Sequence, residues 1–175
     1  MTGTQGSLLL TGVYGVGKST VAEEMAAVFE EAGLTYAAID LDWVGWFDAG
    51  WNDERASFDV MVRNLEAMVS NYVDAGVRYV VMALSIKHDW EREAISSVVP
   101  QPLHVVRLES SIEVIRERLS ANPTVGRQGD LETASRWLES GAGLGLEDLT
   151  IASDRPVRDV VHEILRAISW EPSTP

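Results

Sequence analysis

GVYGVGKST, residues 12–20, follows the apolar run SLLLT at residues 7–11 and precedes the helix-like stretch VAEEMAAVFEEA at residues 21–32. It meets the spacing G-x-x-x-x-G-K-[ST] with Gly12, Gly17, Lys18 and Ser19, and Gly15 adds a third glycine. Glycines let successive backbone N–H groups turn inward around a phosphate. The lysine reaches the terminal phosphates, and the hydroxyl can ligand Mg²⁺. The helix that follows aims its first N–H groups at the same anion. The required context, a strand before and a helix after, is met. Lys18 and Lys87 are the only lysines in a chain that otherwise uses arginine. The whole loop, Gly12, Val13, Tyr14, Gly15, Val16, Gly17, Lys18, Ser19 and Thr20, is the expected nucleotide site.

The rest of the chain sets the frame for this loop. At 175 residues it fits one domain, spanning 1–175, and its 46% apolar and 23% charged residues suit a globular protein with an adequate core. A formal net charge of −13 argues against nucleic-acid and anionic-membrane partners, since like charges repel. With no cysteine, disulfides and thiolate metal sites are excluded. Neither a charged-then-apolar leader nor an apolar run of about 18 residues occurs, so a cytoplasmic location is expected.

Strand-like runs at residues 8–11, 36–41, 79–84, 103–108 and 148–152 alternate with helical patterns at 18–32, 57–75, 89–98, 111–121, 131–140 and 157–168. This alternation predicts an α/β fold, a three-layer sandwich around a five-stranded parallel sheet. Gly33 and Gly76 stand where helix C-caps are expected. Ligands of such sheets lie at the carboxyl ends of the strands, which directs attention to the loops there.

The second strand runs into DLDWVGW, residues 40–46. Asp40 and Asp42 straddle Leu41, and an extended backbone would put both carboxylates on one side. Asp42 is the candidate to orient an acceptor hydroxyl and take its proton as a phosphoryl group transfers, with Asp40 assisting Mg²⁺ through water. Capping of the next element is the plainer alternative for both. Trp43, Trp46, Phe47 and Trp51 crowd the residues that follow. They form an aromatic wall suited to a sugar, a nucleobase or a hydrophobic antibiotic; packing on the next helix or a homodimer contact is the alternative.

On GVYGVGKST, DLD, ERL and ASDRPVRDVVHEIL, the chain resembles the small P-loop kinases of the nucleoside-monophosphate-kinase-like group, among them shikimate, gluconate and adenylylsulfate kinases and chloramphenicol phosphotransferase. The resemblance covers nearly the whole chain. It implies sheet order 2-3-1-4-5, Mg-ATP as phosphoryl donor, and a small-molecule acceptor beside the second and third strands. Asp40 and Asp42 match the D-x-D pair of shikimate and adenylylsulfate kinases.

The resemblance also assigns arginines. In SSIEVIRERLSA, residues 110–121, Ile112, Ile115 and Leu119 form a core-facing stripe, and Arg118 matches the arginine that stacks on adenine in adenylate-kinase-like proteins. The second arginine of that motif is Asn122 here. The segment NPTVGRQGD, residues 122–130, reads as a reduced lid in which Arg127 takes over the phosphate contact. Arg63 lies on the helix after the second strand, where related kinases place acceptor-binding arginines; an ion pair with Asp59 or Glu66 is its alternative. Asp154 and Arg155 mark the loop that closes over adenine in this group.

The third strand ends in MALSIKHDW, residues 82–90, without the acidic residue that motor and switch ATPases use to hold Mg²⁺. Ser85, Lys87 and His88 fall in a loop facing the acceptor cleft. The reading that unites these features is an ATP-dependent phosphotransferase acting on the hydroxyl of a small molecule. A nucleotide-binding regulator or slow NTPase, acting through a protein partner, is the alternative.

Overall fold

The computed structural model describes residues 5–50, 52–121 and 129–171. Its centre is β1 (Gly6–Thr11), buried along its whole length. β3 (Tyr79–Ala83) and β4 (Leu103–Glu109) flank it in parallel, with Leu8 opposite Val81 on one side and His104 on the other. β2 (Tyr36–Asp40) lies outside β3, and β5 (Leu149–Ala152) lies outside β4. The order is β2-β3-β1-β4-β5, all parallel, as the resemblance implies.

Period-two alternation along the strands feeds two separate cores. Leu8 and Leu10 point to one face, with Val81, Val106 and Leu108, beneath α1 (Lys18–Glu31) and α7 (Val157–Ala167). Leu9, Val80, Met82 and Val105 point to the other, beneath α3 (Glu54–Asp74) and α4 (Asp89–Val98). The helices answer with stripes at helical spacing: Val21, Met25, Val28 and Phe29 on α1, and Met61, Val62, Leu65 and Val69 on α3. α5 (Ile112–Ala121) buries Ile115, and α6 (Asp130–Ser140) buries Ala134. Gly33 and Gly76 follow the ends of α1 and α3 at φ 65° and 92°, and the next N–H in each case closes back onto the helix, Leu34 to Phe29 and Val77 to Tyr72.

Two boundaries depart from the sequence reading. β2 stops at Asp40, and residues 41–44 form a short helix, α2 (Leu41–Val44), instead of continuing the strand. Asp40 causes the switch: its carboxylate accepts the Asp42 N–H at 3.0 Å, capping that turn. α3 starts three residues before the expected position because Asp53 caps it, accepting the Ala56 N–H at 3.0 Å. No helix among the described residues is long and apolar enough to cross a membrane.

Candidate functional site

The loop between β1 and α1 opens onto a cavity of about 710 Å³. Gly15 and Gly17 have φ of 79° and 107°, the left-handed region that glycine alone enters cheaply. A Cβ on Gly15 would also lie 2.8 Å from Leu119 Cγ, so this glycine answers to packing as well as to dihedral angle. Gly12 and Val13 stand behind the loop, outside the cavity lining, and contribute carbonyls: Lys18 Nζ donates to both at 3.1 Å. Tyr14, Val16, Ser19 and Thr20 line the cavity with the two glycines and Lys18.

Lys18 is 7% exposed. Burial lowers its pKa to about 8, against the opposing pull of Asp42, Asp40 and Asp130. Its ammonium also lies 5.4 Å from the centre of the Tyr14 ring.

Ser19 Oγ donates to Asp40 Oδ2 at 2.8 Å. Two hard oxygen donors therefore stand together at the start of α1, a set that suits Mg²⁺, which takes one or two protein oxygens and completes its shell with phosphates and water. Among the described residues no group of three or more His, Cys, Asp or Glu could hold a metal by itself. Asp42 projects from α2, not from β2, yet it reaches the same cavity as Asp40 and Lys18. The confinement of its carboxyl raises its pKa, Lys18 opposes this, and the like charges of Asp40 and Asp130 add to it.

The back of the loop is braced from two distant segments. Arg118 on α5 donates to Val16 O at 2.7 Å and to Ser153 O at 2.6 Å. The Ser153 hydroxyl, buried after β5, lies 2.8 Å from Val16 O. Arg118 lines the cavity, but its guanidinium is engaged by carbonyls, so positioning of the loop accompanies any contact with a base.

Arg155 lines the cavity and pairs with Glu163. Asp154 is exposed and lies outside the lining; the buried residue of that loop is its neighbour Ser153.

Trp43 and Trp46, which follow Asp42, also line the cavity, each 69% exposed, with ring centroids 4.9 Å apart. They pack on each other and leave most of their surface in solvent, so packing against α3 does not account for them. Trp51 and Arg127 lie outside the described residues, as does most of the expected lid, 122–128.

Arg63 is not brought to the cavity. The buried stripe of α3 faces the sheet, and Arg63 sits on the opposite, exposed side, without either of the ion pairs its spacing allowed. Ser85 is buried and donates to Gly12 O at 2.7 Å, while Lys87 pairs with Glu54 and His88 stacks on Trp90; none lines the cavity.

Two residues were missed by the sequence reading. Asp130, the first residue of α6, lines the cavity and acts electrostatically on Lys18, Asp42 and Tyr14. The sequence reading counted it as the last residue of the expected lid, 122–130, and gave it no task of its own. Ser153 carried no signal beyond its place at the end of a strand.

No protein-family model and no curated protein sequence matches the chain. Solved structures do. An unliganded sugar kinase from Janibacter sp. HTCC2649 superposes with a TM-score of 0.65 at 21% identity, covering 98% of this chain and 97% of that one. A shikimate kinase from Acinetobacter baumannii in complex with shikimate gives 0.63 at 18% identity, covering 94% and 93%. An APS kinase from Mycobacterium tuberculosis in complex with AMPPNP and APS gives 0.65 at 16% identity, covering 96% and 99%. The likeness extends over nearly the full length of each. The chain therefore has the P-loop fold in the form found in solved small-molecule kinases, with the five-stranded parallel sheet in the order 2-3-1-4-5.

Proposed function

We propose that the protein is a small-molecule kinase that moves the γ-phosphoryl group of ATP to a hydroxyl of its acceptor. One observation carries this reading: the phosphate-binding loop and a second half made of Asp42, Trp43 and Trp46 open into one cavity. A site that only binds nucleotide needs the first half. A site that transfers phosphate needs both, with a carboxylate at the junction.

In this scheme the loop N–H groups and Lys18 hold the phosphates, and Ser19 and Asp40 would hold Mg²⁺, which would neutralise phosphate charge. Asp42 orients the acceptor hydroxyl. The acceptor oxygen forms a bond to the γ-phosphorus, the bond from that phosphorus to the β–γ bridging oxygen breaks, Asp42 takes the hydroxyl proton, and ADP leaves. A carboxyl with a raised pKa is a better base than an ordinary aspartate. Arg127 is assigned to the transferring phosphoryl group, and Arg118 and Arg155 to the nucleotide. Trp43 and Trp46 are assigned to the acceptor.

The experiment is transfer from γ-labelled ATP to a panel of hydroxyl compounds. Labelled product from one class supports the kinase. No labelled product from any, with hydrolysis insensitive to all of them, overturns it. In that case a nucleotide-dependent mass shift with a protein partner would point to the regulator, for which the exposed Trp43 and Trp46 are the supporting feature.

A further inference from the structure

The cavity is electrostatically two-sided. The positive side chains that line it among the described residues are Lys18, Arg118 and Arg155. Each is already engaged: Lys18 by the carbonyls of Gly12 and Val13, Arg118 by those of Val16 and Ser153, and Arg155 by Glu163. All three belong to the donor half. Asp42, Asp130 and the Trp43–Trp46 pair line the same cavity, and no other cation among the described residues lines it.

Each carboxylate has a different standing. Asp40 is tied to Ser19 and to the start of α2. Asp42 is the proposed base. Asp130 has no task in the transfer, and among the described residues no ion pair or side-chain hydrogen bond involves its carboxylate. Nevertheless it is held close enough to Lys18, Asp42 and Tyr14 to act on all three.

An anionic acceptor would enter against Asp42, Asp130 and the donor's own phosphates. A cationic acceptor meets favourable charge at every one of these groups. The indole faces add a second, independent preference: they attract an ammonium through their negative π-faces and take the apolar face of a sugar ring. The chain's net charge of −13 also draws cations toward the molecule.

We propose that the acceptor is an amino sugar, its ring lying on Trp43 and Trp46, its ammonium received by Asp130, and one of its hydroxyls presented to Asp42. This rests on the kinase reading for the hydroxyl, but the charge selection itself is a statement about binding.

The test uses three probes that differ in charge on one ring: glucosamine, glucose and glucuronate. Their affinities are measured by calorimetry on the full chain with Mg-AMPPNP present, beside a transfer assay with Mg-ATP. Glucosamine is expected to bind at least about 10-fold more tightly than glucose, glucuronate is expected to bind most weakly, and the preference for glucosamine should shrink with added salt. Asp130→Asn should remove most of the gap between glucosamine and glucose while glucose affinity stays put, with an unchanged melting temperature reporting a folded variant.

Binding of glucuronate or glucose as tightly as glucosamine overturns the proposal. So does a glucosamine preference that survives in D130N, and so does binding of none of the three. If the charge order holds in binding but no labelled sugar forms, the charge selection stands and the presentation of a hydroxyl to Asp42 fails; the kinase reading is then decided by the wider hydroxyl panel.

Discussion

Nucleotide binding should draw a proton from solvent at alkaline pH, and Lys18 is the reason. In the free protein its ammonium is buried and its pKa sits at about 8, compared with 10.5 for an exposed lysine. That interval corresponds to about 3 kcal/mol held against the charged form. The sign follows from which state holds the proton. Between pH 8 and 10.5 the unfolded chain keeps it and the native chain releases it, so the stability of the free protein rises with pH across that window.

Phosphates arriving beside Nζ favour the ammonium and return the pKa toward its ordinary value. At pH 8 half of the free molecules lack the proton, so binding should take up ~0.5 proton per nucleotide, against ~0.1 at pH 7. The assay is calorimetric titration with Mg-AMPPNP at both pH values, in two non-phosphate buffers of different ionisation enthalpy. Lys18→Arg keeps the charge but cannot titrate here, so it should bind without uptake. Binding heats at pH 8 that do not depend on the buffer, or an uptake that persists in K18R, would refute the reasoning.

Other outcomes follow from the same geometry. Asp42→Asn should leave ATP affinity nearly unchanged and cut transfer by about 10² or more, read as a fall in kcat with little change in nucleotide KM. Gly15→Ala places a Cβ 2.8 Å from Leu119 Cγ at a φ of 79°; a loss of about 2 kcal/mol is expected, seen as a melting temperature lower by about 4–8 °C, with weaker nucleotide binding. Arg118→Ala strips one donor from Val16 O and one from Ser153 O; it should cost about 1–3 kcal/mol in chemical denaturation and reduce nucleotide affinity even where the base is absent, as with triphosphate alone. Trp43→Ala and Trp46→Ala should change stability by no more than about 0.5 kcal/mol, because both rings are largely in solvent, while acceptor KM rises and nucleotide KM does not.

The glycine-rich loop was legible in the sequence because its determinants are local. Glycines, a lysine and a hydroxyl at fixed spacing describe a loop whose geometry depends on neighbours within ten residues. Strand alternation was legible for the same reason, whereas the sheet order came from resemblance, since periodicity carries no information about which strand lies beside which.

The other side of the cavity was only partly legible. Asp42 reached the cavity by a route other than the one its spacing implied, because the Asp40 cap turned the chain into a helix one residue before an extended strand would have ended. Asp130 was hidden because the topology, not local spacing, brings α6 to the loop. Arg63 shows the opposite case: the phase of Met61, Val62, Leu65 and Val69 was present in the sequence and already pointed that arginine away from the sheet.

The bond between Ser153 and Val16 spans 137 positions in the chain. Since it braces the back of the loop, the loop takes its final shape only after β5 has docked, although its own residues are synthesised well before that strand. A partly synthesised chain therefore carries the glycine-rich sequence without the finished cradle. On the proposed reading, nucleotide would act as a late ligand in biogenesis, holding completed molecules in the native state and offering little shelter to unfinished ones.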